Sequence, residues 1–371
     1  MPQMTFVLNG EPQTAAYEEG MTFLEVLRDV CGITSPKDGC APQGYCGCCA
    51  ILVDGRAALS CLRKPETVAD KTVTTLEGVP EESRELLARA FVREGGLQCG
   101  FCTPGIVIRA YSMLEHGKAG SRDEIEKALS GHLCRCTGYT RIVDAIQTAG
   151  EVRETGVWPE GDGPRNPSFF GEQFGLERVT ETKPDGIGCS SPRYRGEDHA
   201  MGEKPYVADM SFPGMLHGAI VLSEHPRAHI VGIDTSAVAS EPGVVRVFTA
   251  ADVPGAKLVG LIRTDWPVFV GPGDTTRCVG DVLALVLADT RYHARQAASV
   301  LASAIEYEVL EPVTDPVAAL QSNSPHVHEG GNLLATCAFS RGDVDAALAS
   351  AAHVVDESFV TQRIEHAFLE P

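Results

Sequence analysis

Residues 39–50 read Gly-Cys-Ala-Pro-Gln-Gly-Tyr-Cys-Gly-Cys-Cys-Ala, a short loop that holds four of the chain's 13 cysteines. A [2Fe-2S] core takes four thiolates, two on each iron, and a plant-type loop supplies three of them with the spacing C-x4-C-x2-C. Here the first gap is five residues long, so that one residue is inserted, and the second gap is the expected two. The predicted ligands of a first [2Fe-2S] cluster are three loop cysteines and one from a later strand: Cys40, Cys46, Cys49 and Cys61.

The composition of this loop supports cluster binding. Gly39, Gly44 and Gly47 allow it to curl, so that backbone N–H groups can point at the cluster sulfides. Cys48 adjoins Cys49, and two neighbouring cysteines cannot comfortably serve one iron here, so the two-residue spacing selects Cys49. A zinc knuckle is the alternative for the same group of cysteines.

A second group of cysteines is split between residues 98–105, Gln-Cys-Gly-Phe-Cys-Thr-Pro-Gly, and residues 133–139, Leu-Cys-Arg-Cys-Thr-Gly-Tyr. Each pair directly precedes a predicted helix, and Pro104 suits a first turn, where a missing N–H is harmless. Helix N-termini carry free N–H groups and partial positive charge, which stabilise an anionic four-thiolate cluster. C-x-C is also a strained spacing for tetrahedral zinc. The predicted ligands of a second [2Fe-2S] cluster are Cys99, Cys102, Cys134 and Cys136.

The bulk properties of the 371-residue chain exclude several classes of protein. Ten of the 13 cysteines lie between Cys31 and Cys136, in pairs too close for disulfides, which favours metal or cluster ligation in a reducing compartment. The N-terminus, MPQMTFVLNG, lacks the basic and apolar regions of a secretory signal, so we expect a cytoplasmic protein. The sequence contains no run of about 18 uncharged apolar residues, so no membrane span is predicted. The net charge of −19 argues against nucleic acid as a partner.

Two periodicities organise the part of the chain that carries the cysteines. Strand patterns and one amphipathic helix predict a small ferredoxin-type α/β domain, after which helical spacing predicts a compact bundle of four short helices. Residues 156–192 are rich in Gly, Pro, Asp and Glu and predict a linker. A mixed α/β pattern follows, with a last predicted strand at 353–360. The predicted helices are 21–30, 82–94, 103–115, 122–129, 141–152 and 292–301, and the other predicted strands are 5–8, 51–53, 73–76, 218–221, 230–233, 244–248, 282–287 and 305–309.

Residues 98–105 and 134–139 resemble the corresponding motifs of the xanthine dehydrogenase and aldehyde oxidoreductase family, the molybdenum hydroxylases. Further features of the chain resemble the same family: Gly202, Tyr206, Asp209, and residues 229–236, 245–254, 306–308, 312–316 and 365–371. The resemblance implies an α+β multidomain chain. Its expected parts are a β-grasp plant-type ferredoxin domain (1–78), a four-helix cluster-binding bundle (79–156), a linker (157–192), an α/β hammerhead domain (193–315) and the beginning of a molybdopterin-binding domain (316–371).

The resemblance also implies an electron-transfer circuit. A molybdopterin cofactor would hydroxylate a small-molecule substrate, a purine or an aldehyde, and its electrons would pass through the second cluster to the first and then outward. By the same analogy Gln98 and Cys136 would touch the edge of the pterin. Without the resemblance, Gln98 is more simply a side chain that satisfies nearby backbone groups.

Two departures from the family pattern lead to further expectations. Only about 40 residues separate the bundle from the hammerhead region, too few for a domain, so we expect no FAD on this chain and a separate flavin subunit or redox protein as acceptor. The Cys-Gly-Cys-Cys sequence and the five-residue gap resemble the selenium-dependent xanthine dehydrogenase branch.

The second departure is that the Gly-rich cofactor segments and the glutamate base of the family are absent from this sequence. Glu365 and His366 are interpreted as fold residues, so that no catalytic residue is assigned. We therefore expect a split or truncated polypeptide that needs the molybdenum-binding remainder of the enzyme. A stand-alone [2Fe-2S] electron carrier and a zinc-stabilised binding module are the alternative functions.

Overall fold

The computed structural model describes residues 1–160, 191–261 and 263–362. The chain divides into two compact units, the first extending to Met210 and the second beginning at Ser211. Both groups of cysteines lie in the first unit. Most of the predicted linker, and the residues Cys189, Glu365 and His366, lie outside the described residues.

The first part of the N-terminal unit is a mixed sheet crossed by one helical segment. Its strands are β1 (Gln3–Leu8), β2 (Glu11–Ala16), β3 (Ala50–Val53), β4 (Arg56–Leu59) and β5 (Thr72–Thr74), in the order β2-β1-β5-β3-β4. Strand β1 is antiparallel to β2 and parallel to β5. Alternate residues of β1 are buried against Phe23 and Val26 of the helical segment, which starts as α1 (Phe23–Glu25) and widens into a π-helical turn (Val26–Val30). The predicted 21–30 helix is thus present but irregular.

The second part of the unit consists of helices α2 (Glu81–Glu94), α3 (Thr103–Glu115), α4 (Arg122–Leu129) and α5 (Thr140–Thr155). Glycines in the left-handed region end two of them, Gly95 after α2 and Gly156 after α5. Helix α3 is buried along most of its length because it contacts α2, α4 and β3. Its central position brings the start of α3 close to the loop that precedes β3.

A short segment closes the first unit. It contains the one-turn helix α6 (Gly196–Ala200) and a 3-10 turn (Val207–Asp209). The family resemblance implies that these residues belong to the following domain, whereas their contacts group them with the cysteine-bearing unit. The domain boundaries proposed from the sequence therefore stay predictions.

The second unit is built from short sheets and one well-formed helix. Strands β6 (His217–Leu222), β8 (Val244–Thr249) and β11 (Val282–Ala288) form a sheet in the order β6-β11-β8, which α7 (Arg291–Ala302) covers. Strand β7 (Ala228–Ile233) pairs with β12 (Ile305–Val309), and β9 (Leu258–Val259) with β10 (Trp266–Pro267). Leu283, Val286 and Leu301 are fully buried in the resulting core. A last helix, α8 (Val344–Ser350), is exposed.

One predicted element is wrong. Residues 353–360, His-Val-Val-Asp-Glu-Ser-Phe-Val, are predicted as the start of a strand, but they form no strand and all of them are exposed. A strand needs a hydrogen-bonded neighbour, and none of the described strands pairs with this segment. Among the described helices, none combines the length and the apolar character required to cross a membrane.

Two candidate cysteine-ligated metal centres

The first candidate centre lies where the loop of residues 39–50 enters the sheet. Cys49 directly precedes β3, and Cys61 lies in the 3-10 turn that follows β4. Because Ala50 of β3 pairs with Leu59 of β4, the strand register brings these two cysteines side by side. The Ser60 side chain and backbone both donate hydrogen bonds to the Cys49 carbonyl, at 2.8 and 3.2 Å, and hold the turn in place.

The thiols of this centre approach each other in pairs. The Cys49 thiol is hydrogen-bonded to Cys61, and the Cys46 thiol interacts with Cys40 and with Cys48. The hydrogen bond from Cys48 lowers the pKa of Cys46 to about 6, against the effect of burial, and the bond from Cys61 lowers the pKa of Cys49. The same hydrogen bonds raise the pKa of Cys48 and of Cys61, so one thiol of each pair is favoured as the thiolate, the metal-binding form of cysteine.

Cys48 occupies a position of its own. It is 1 % exposed, and hydrogen bonding to Cys46, followed by burial, raises its pKa far above the ordinary range. Its thiol faces the carbonyl oxygen of Cys46 at 3.8 Å. Cys48 is thus a buried neighbour of a predicted ligand, and its exclusion as a ligand stays a prediction from the spacing.

The second candidate centre brings its four cysteines together from two distant segments. The sulfur atoms of Cys99 and Cys136 are 3.4 Å apart, and the thiols of Cys102 and Cys134 are hydrogen-bonded. The bond from Cys102 lowers the pKa of Cys134 to about 5, and Cys134 in turn raises that of Cys102. The Thr137 hydroxyl lies 3.1 Å from the Cys134 sulfur.

Helix α3 begins immediately beside this centre, and α5 begins a few residues from it. Cys102 is the N-cap of α3, and Pro104 occupies its first turn, as predicted. Thr137 does not cap α5; its hydroxyl accepts a hydrogen bond from the Tyr139 N–H instead. The Tyr139 hydroxyl accepts from the Cys134 N–H at 2.8 Å and donates to a carbonyl at 3.1 Å, which fixes the C-x-C turn.

The two centres are in direct backbone contact. The N–H of Leu133, next to the C-x-C pair, donates to the carbonyl of Cys46 at 2.8 Å. A Cβ built at Gly105 in α3 would lie 2.4 Å from the carbonyl oxygen of Gly47 and 3.0 Å from the Cα of Cys48. Only a glycine in α3 lets the helix approach the first loop this closely. The two cysteine groups are therefore packed directly against each other.

The grouping of the sulfur atoms bears on which metal they could hold. In the part of the chain that the structure describes, no three His, Cys, Asp or Glu side chains are grouped around a single ion position. A zinc knuckle requires four ligands that converge on one ion, whereas a two-iron core requires two pairs of thiolates. Each candidate centre provides two pairs, and all 12 described cysteines are free thiols. This donor set fits a [2Fe-2S] core.

Gln98 and Cys136, which the resemblance assigned to the pterin edge, lie together. The Gln98 side-chain amide donates to the Cys136 carbonyl at 3.1 Å, at the surface of the second centre. Sequence reasoning missed the contacts that residues 193–210 make here, among them the hydrogen bond from the Tyr206 hydroxyl to the Cys99 carbonyl. No local pattern signals a contact between residues 107 positions apart.

Two family models match the chain. The model described as a [2Fe-2S] binding domain matches residues 75–147. The model described as the a/b hammerhead domain of aldehyde oxidase and xanthine dehydrogenase matches residues 201–311.

Individual relatives match longer stretches. The chain is 33% identical over 389 residues to an aldehyde oxidoreductase from Megalodesulfovibrio gigas, a match that covers 100% of this chain but 41% of that protein. It is 39% identical over 145 residues to the small FeS subunit of a nicotinate dehydrogenase from Eubacterium barkeri, covering 39% of this chain and 92% of the subunit. The solved structure of the aldehyde oxidoreductase from Desulfovibrio gigas superposes with a TM-score of 0.72 at 31% identity, over 89% of this chain and 36% of that one.

Proposed function

We propose a function from the premise that this chain belongs to the molybdenum hydroxylase family of aldehyde oxidases and xanthine dehydrogenases, and is an oxidoreductase of that family. Its N-terminal unit would hold two [2Fe-2S] clusters on eight cysteines and carry single electrons from a molybdenum-binding part to an external acceptor. When bound, each cluster supplies one site that accepts and releases one electron.

The observation that carries this proposal is the pairing of the eight predicted thiols. Cys49 contacts Cys61 in the first centre, and Cys99 contacts Cys136 in the second, as two-iron ligation requires. The hydrogen bond between Leu133 and Cys46 joins the two centres, so that an electron can pass between them through a short protein path.

The surroundings of the two centres support a direction for the transfer. In the second centre, Gln98 and Cys136 are held together at the surface, and by analogy with the family they would face the pterin. In the first centre, residues 41–43 are exposed and Tyr45 is 76 % exposed, which leaves this loop accessible to an acceptor. Electrons would then enter at the second centre and leave at the first.

The remaining assignments rest on the relatives. The plant-type ferredoxin identity of residues 1–78, the hammerhead domain at 193–315 and the beginning of a molybdopterin-binding domain at 316–371 are part of the proposal. So are a purine or aldehyde substrate, a molybdenum-binding partner and a separate flavin subunit or redox protein as acceptor. We assign no catalytic residue among the described ones.

Anaerobic analysis of iron and acid-labile sulfide, with EPR spectra after dithionite reduction, tests the proposal directly. About four iron and four sulfide per chain with two distinct S = 1/2 signals are expected for two [2Fe-2S] clusters. Zinc without sulfide or visible absorption would contradict the redox function and favour the zinc-stabilised module. Half of the iron with one signal would leave only one of the two centres as a cluster site.

A further inference from the structure

Residues 193–210, which we call the clasp, are anchored on the first part of the N-terminal unit by a buried group of charges. The Asp209 carboxylate accepts from Arg28 at 2.8 Å and from Lys37 at 2.5 Å. The three side chains are only 3 %, 8 % and 1 % exposed, respectively. Arg28 also donates to the carbonyl of Ala208 at 3.1 Å. Charges this well buried are ordered only when each is paired, so this anchor fixes the end of the clasp.

The same anchor reaches the first cysteine loop. The backbone N–H of Lys37 donates to the carbonyl of Cys48 at 3.0 Å, between the predicted ligands Cys46 and Cys49. The Lys37 ammonium group also lies 5.0 Å from the centre of the Tyr206 ring. The position of the clasp is thus tied to the loop of the first centre.

The other side of the clasp reaches the second centre. The Tyr206 hydroxyl donates to the carbonyl of the predicted ligand Cys99 at 2.6 Å. Its ring packs edge-on against Phe101, with the ring centres 5.2 Å apart. Arg193 donates to the carbonyl of Gln98 at 2.9 Å. Two consecutive carbonyls of the Q-C-G-F-C segment therefore accept hydrogen bonds from the clasp.

A glycine in the clasp packs between the first and the second part of the N-terminal unit. Gly202 has a φ of +73°, and a Cβ there would lie 3.1 Å from the Ser35 side chain and 3.4 Å from that of Pro104. Ser35 precedes the first cysteine loop, and Pro104 belongs to the first turn of α3. The clasp thus crosses from one cysteine segment to the other at close range.

We propose that the clasp positions the two cluster sites relative to each other, and that Tyr206 raises the reduction potential of the second cluster through the backbone of Cys99. The inference rests on the proposed function, namely that both sites hold [2Fe-2S] clusters. Reduction adds one electron, so the cluster becomes more negative. The O–H dipole of Tyr206 has its positive end directed at the Cys99 peptide, and this arrangement stabilises the reduced state more than the oxidised state. Tyr206 is a positioning residue in this proposal.

The test makes the same change, Tyr to Phe, at two positions of the clasp in the full chain. Tyr206→Phe removes only the hydroxyl, and Tyr194→Phe makes the same change at a residue that is 81 % exposed. Redox titrations followed by EPR give the midpoint potential of each cluster, and the signal of the second site is the one altered by Cys136→Ser.

We expect Tyr206→Phe to lower the potential of the second cluster alone, with unchanged iron and sulfide contents, and Tyr194→Phe to change neither potential. Equal potentials in the two variants would overturn the proposal. A wild-type chain without two EPR signals would contradict the proposed function instead, so the two failures are distinguishable.

Asp209→Asn tests the anchor independently. The substitution keeps the shape of the side chain but removes the charge shared by Arg28 and Lys37. The control is Asp198→Asn, which breaks an exposed ion pair with Arg195 in the same segment. We expect Asp209→Asn, and not the control, to expose the clasp to limited proteolysis and to shift the EPR signals of both clusters. Equal proteolysis and unchanged spectra in the two variants would show that the anchor does not hold the clasp.

Discussion

The two cysteine centres are assembled by different means. In the first, Cys49 and Cys61 are only 12 positions apart, and the register of β3 on β4 is enough to place them together. In the second, Cys102 and Cys134 are 32 positions apart, and they meet only because α3 and the C-x-C turn pack against each other. The first centre therefore depends on local strand pairing, and the second on tertiary packing of helices.

The residues that surround the two centres also differ. The first has a buried thiol, Cys48, beside its ligands and an exposed loop around Tyr45. The second lies at the start of α3, where the partial positive charge of the helix N-terminus favours a negative group, and the clasp covers the backbone of Cys99. The two centres therefore differ in what lies next to them, an exposed loop at the first and the clasp at the second.

Removal of one predicted ligand should abolish the cluster of that centre and leave the other cluster in place. This is the largest effect that we expect. We expect Cys102→Ala to abolish the second cluster and Cys61→Ala the first, because two-iron cores need all four thiolates. Each variant should keep about half of the iron and sulfide and one of the two EPR signals. Loss of both signals in either variant would show that the two centres do not form independently.

A substitution at the contact between the centres should disturb both. A Cβ at Gly105 would meet the backbone of Gly47 and Cys48, which cannot move aside as a flexible side chain would. We expect Gly105→Ala to lower the free energy of unfolding by about 1–3 kcal/mol, as overpacking of a core commonly does. Urea unfolding followed by circular dichroism measures the change.

The matched control for this variant is Gly120→Ala, since a Cβ at Gly120 meets no atom within 4 Å and the residue has no left-handed φ. The control should unfold at or above the urea concentration of the wild type. If Gly105→Ala is as stable as Gly120→Ala, then α3 does not press on the first loop as described.

Cys48 offers a sharper test of the first centre. The thiol is buried beside Cys46 but is not expected to bind iron, so Cys48→Ala should keep both clusters and reduce stability by only about 1 kcal/mol. Cys49→Ala serves as the contrasting variant and should lose the first EPR signal. The opposite result, with loss of the signal in Cys48→Ala alone, would reassign the ligand from Cys49 to Cys48.

The sequence was most informative where chemistry restricts spacing. The x2 and C-x-C intervals are enough to propose eight ligands, and the helices at 103–115 and 122–129 have the predicted bounds because apolar periodicity and start signals coincide there. The ligand assignments themselves stay predictions until a cluster is measured.

Long-range contacts were not predictable in this way. The hammerhead family model includes Tyr206 and Asp209, as the resemblance implies, but nothing in their local sequence predicts contacts with Cys99 and Lys37. The predicted strand at 353–360 is wrong for a related reason, since β-branched and aromatic residues form a strand only where a partner strand is available. Such partners are set by the tertiary fold, not by the local pattern.

The smallest expected effect comes from single hydrogen bonds to the ligands. Thr137 contacts the Cys134 sulfur at 3.1 Å in the second centre, and the Ser60 hydroxyl donates to the backbone carbonyl of Cys49 at 2.8 Å in the first. A hydroxyl directed at the sulfur or the peptide of a ligand places its positive end toward the cluster and stabilises the reduced state, so Thr137→Val should lower the potential of the second cluster and Ser60→Ala that of the first. A hydrogen bond contributes about 0.5–1.5 kcal/mol, which for one electron corresponds to roughly 20–60 mV.

Redox titrations of the two variants therefore form a crossed experiment in which each is the control of the other. Shifts confined to the centre that carries the substitution would show that the two potentials are set locally. Equal shifts of both clusters in either variant would contradict the comparison between the centres, because the environment of one would then extend to the other through the Leu133–Cys46 hydrogen bond.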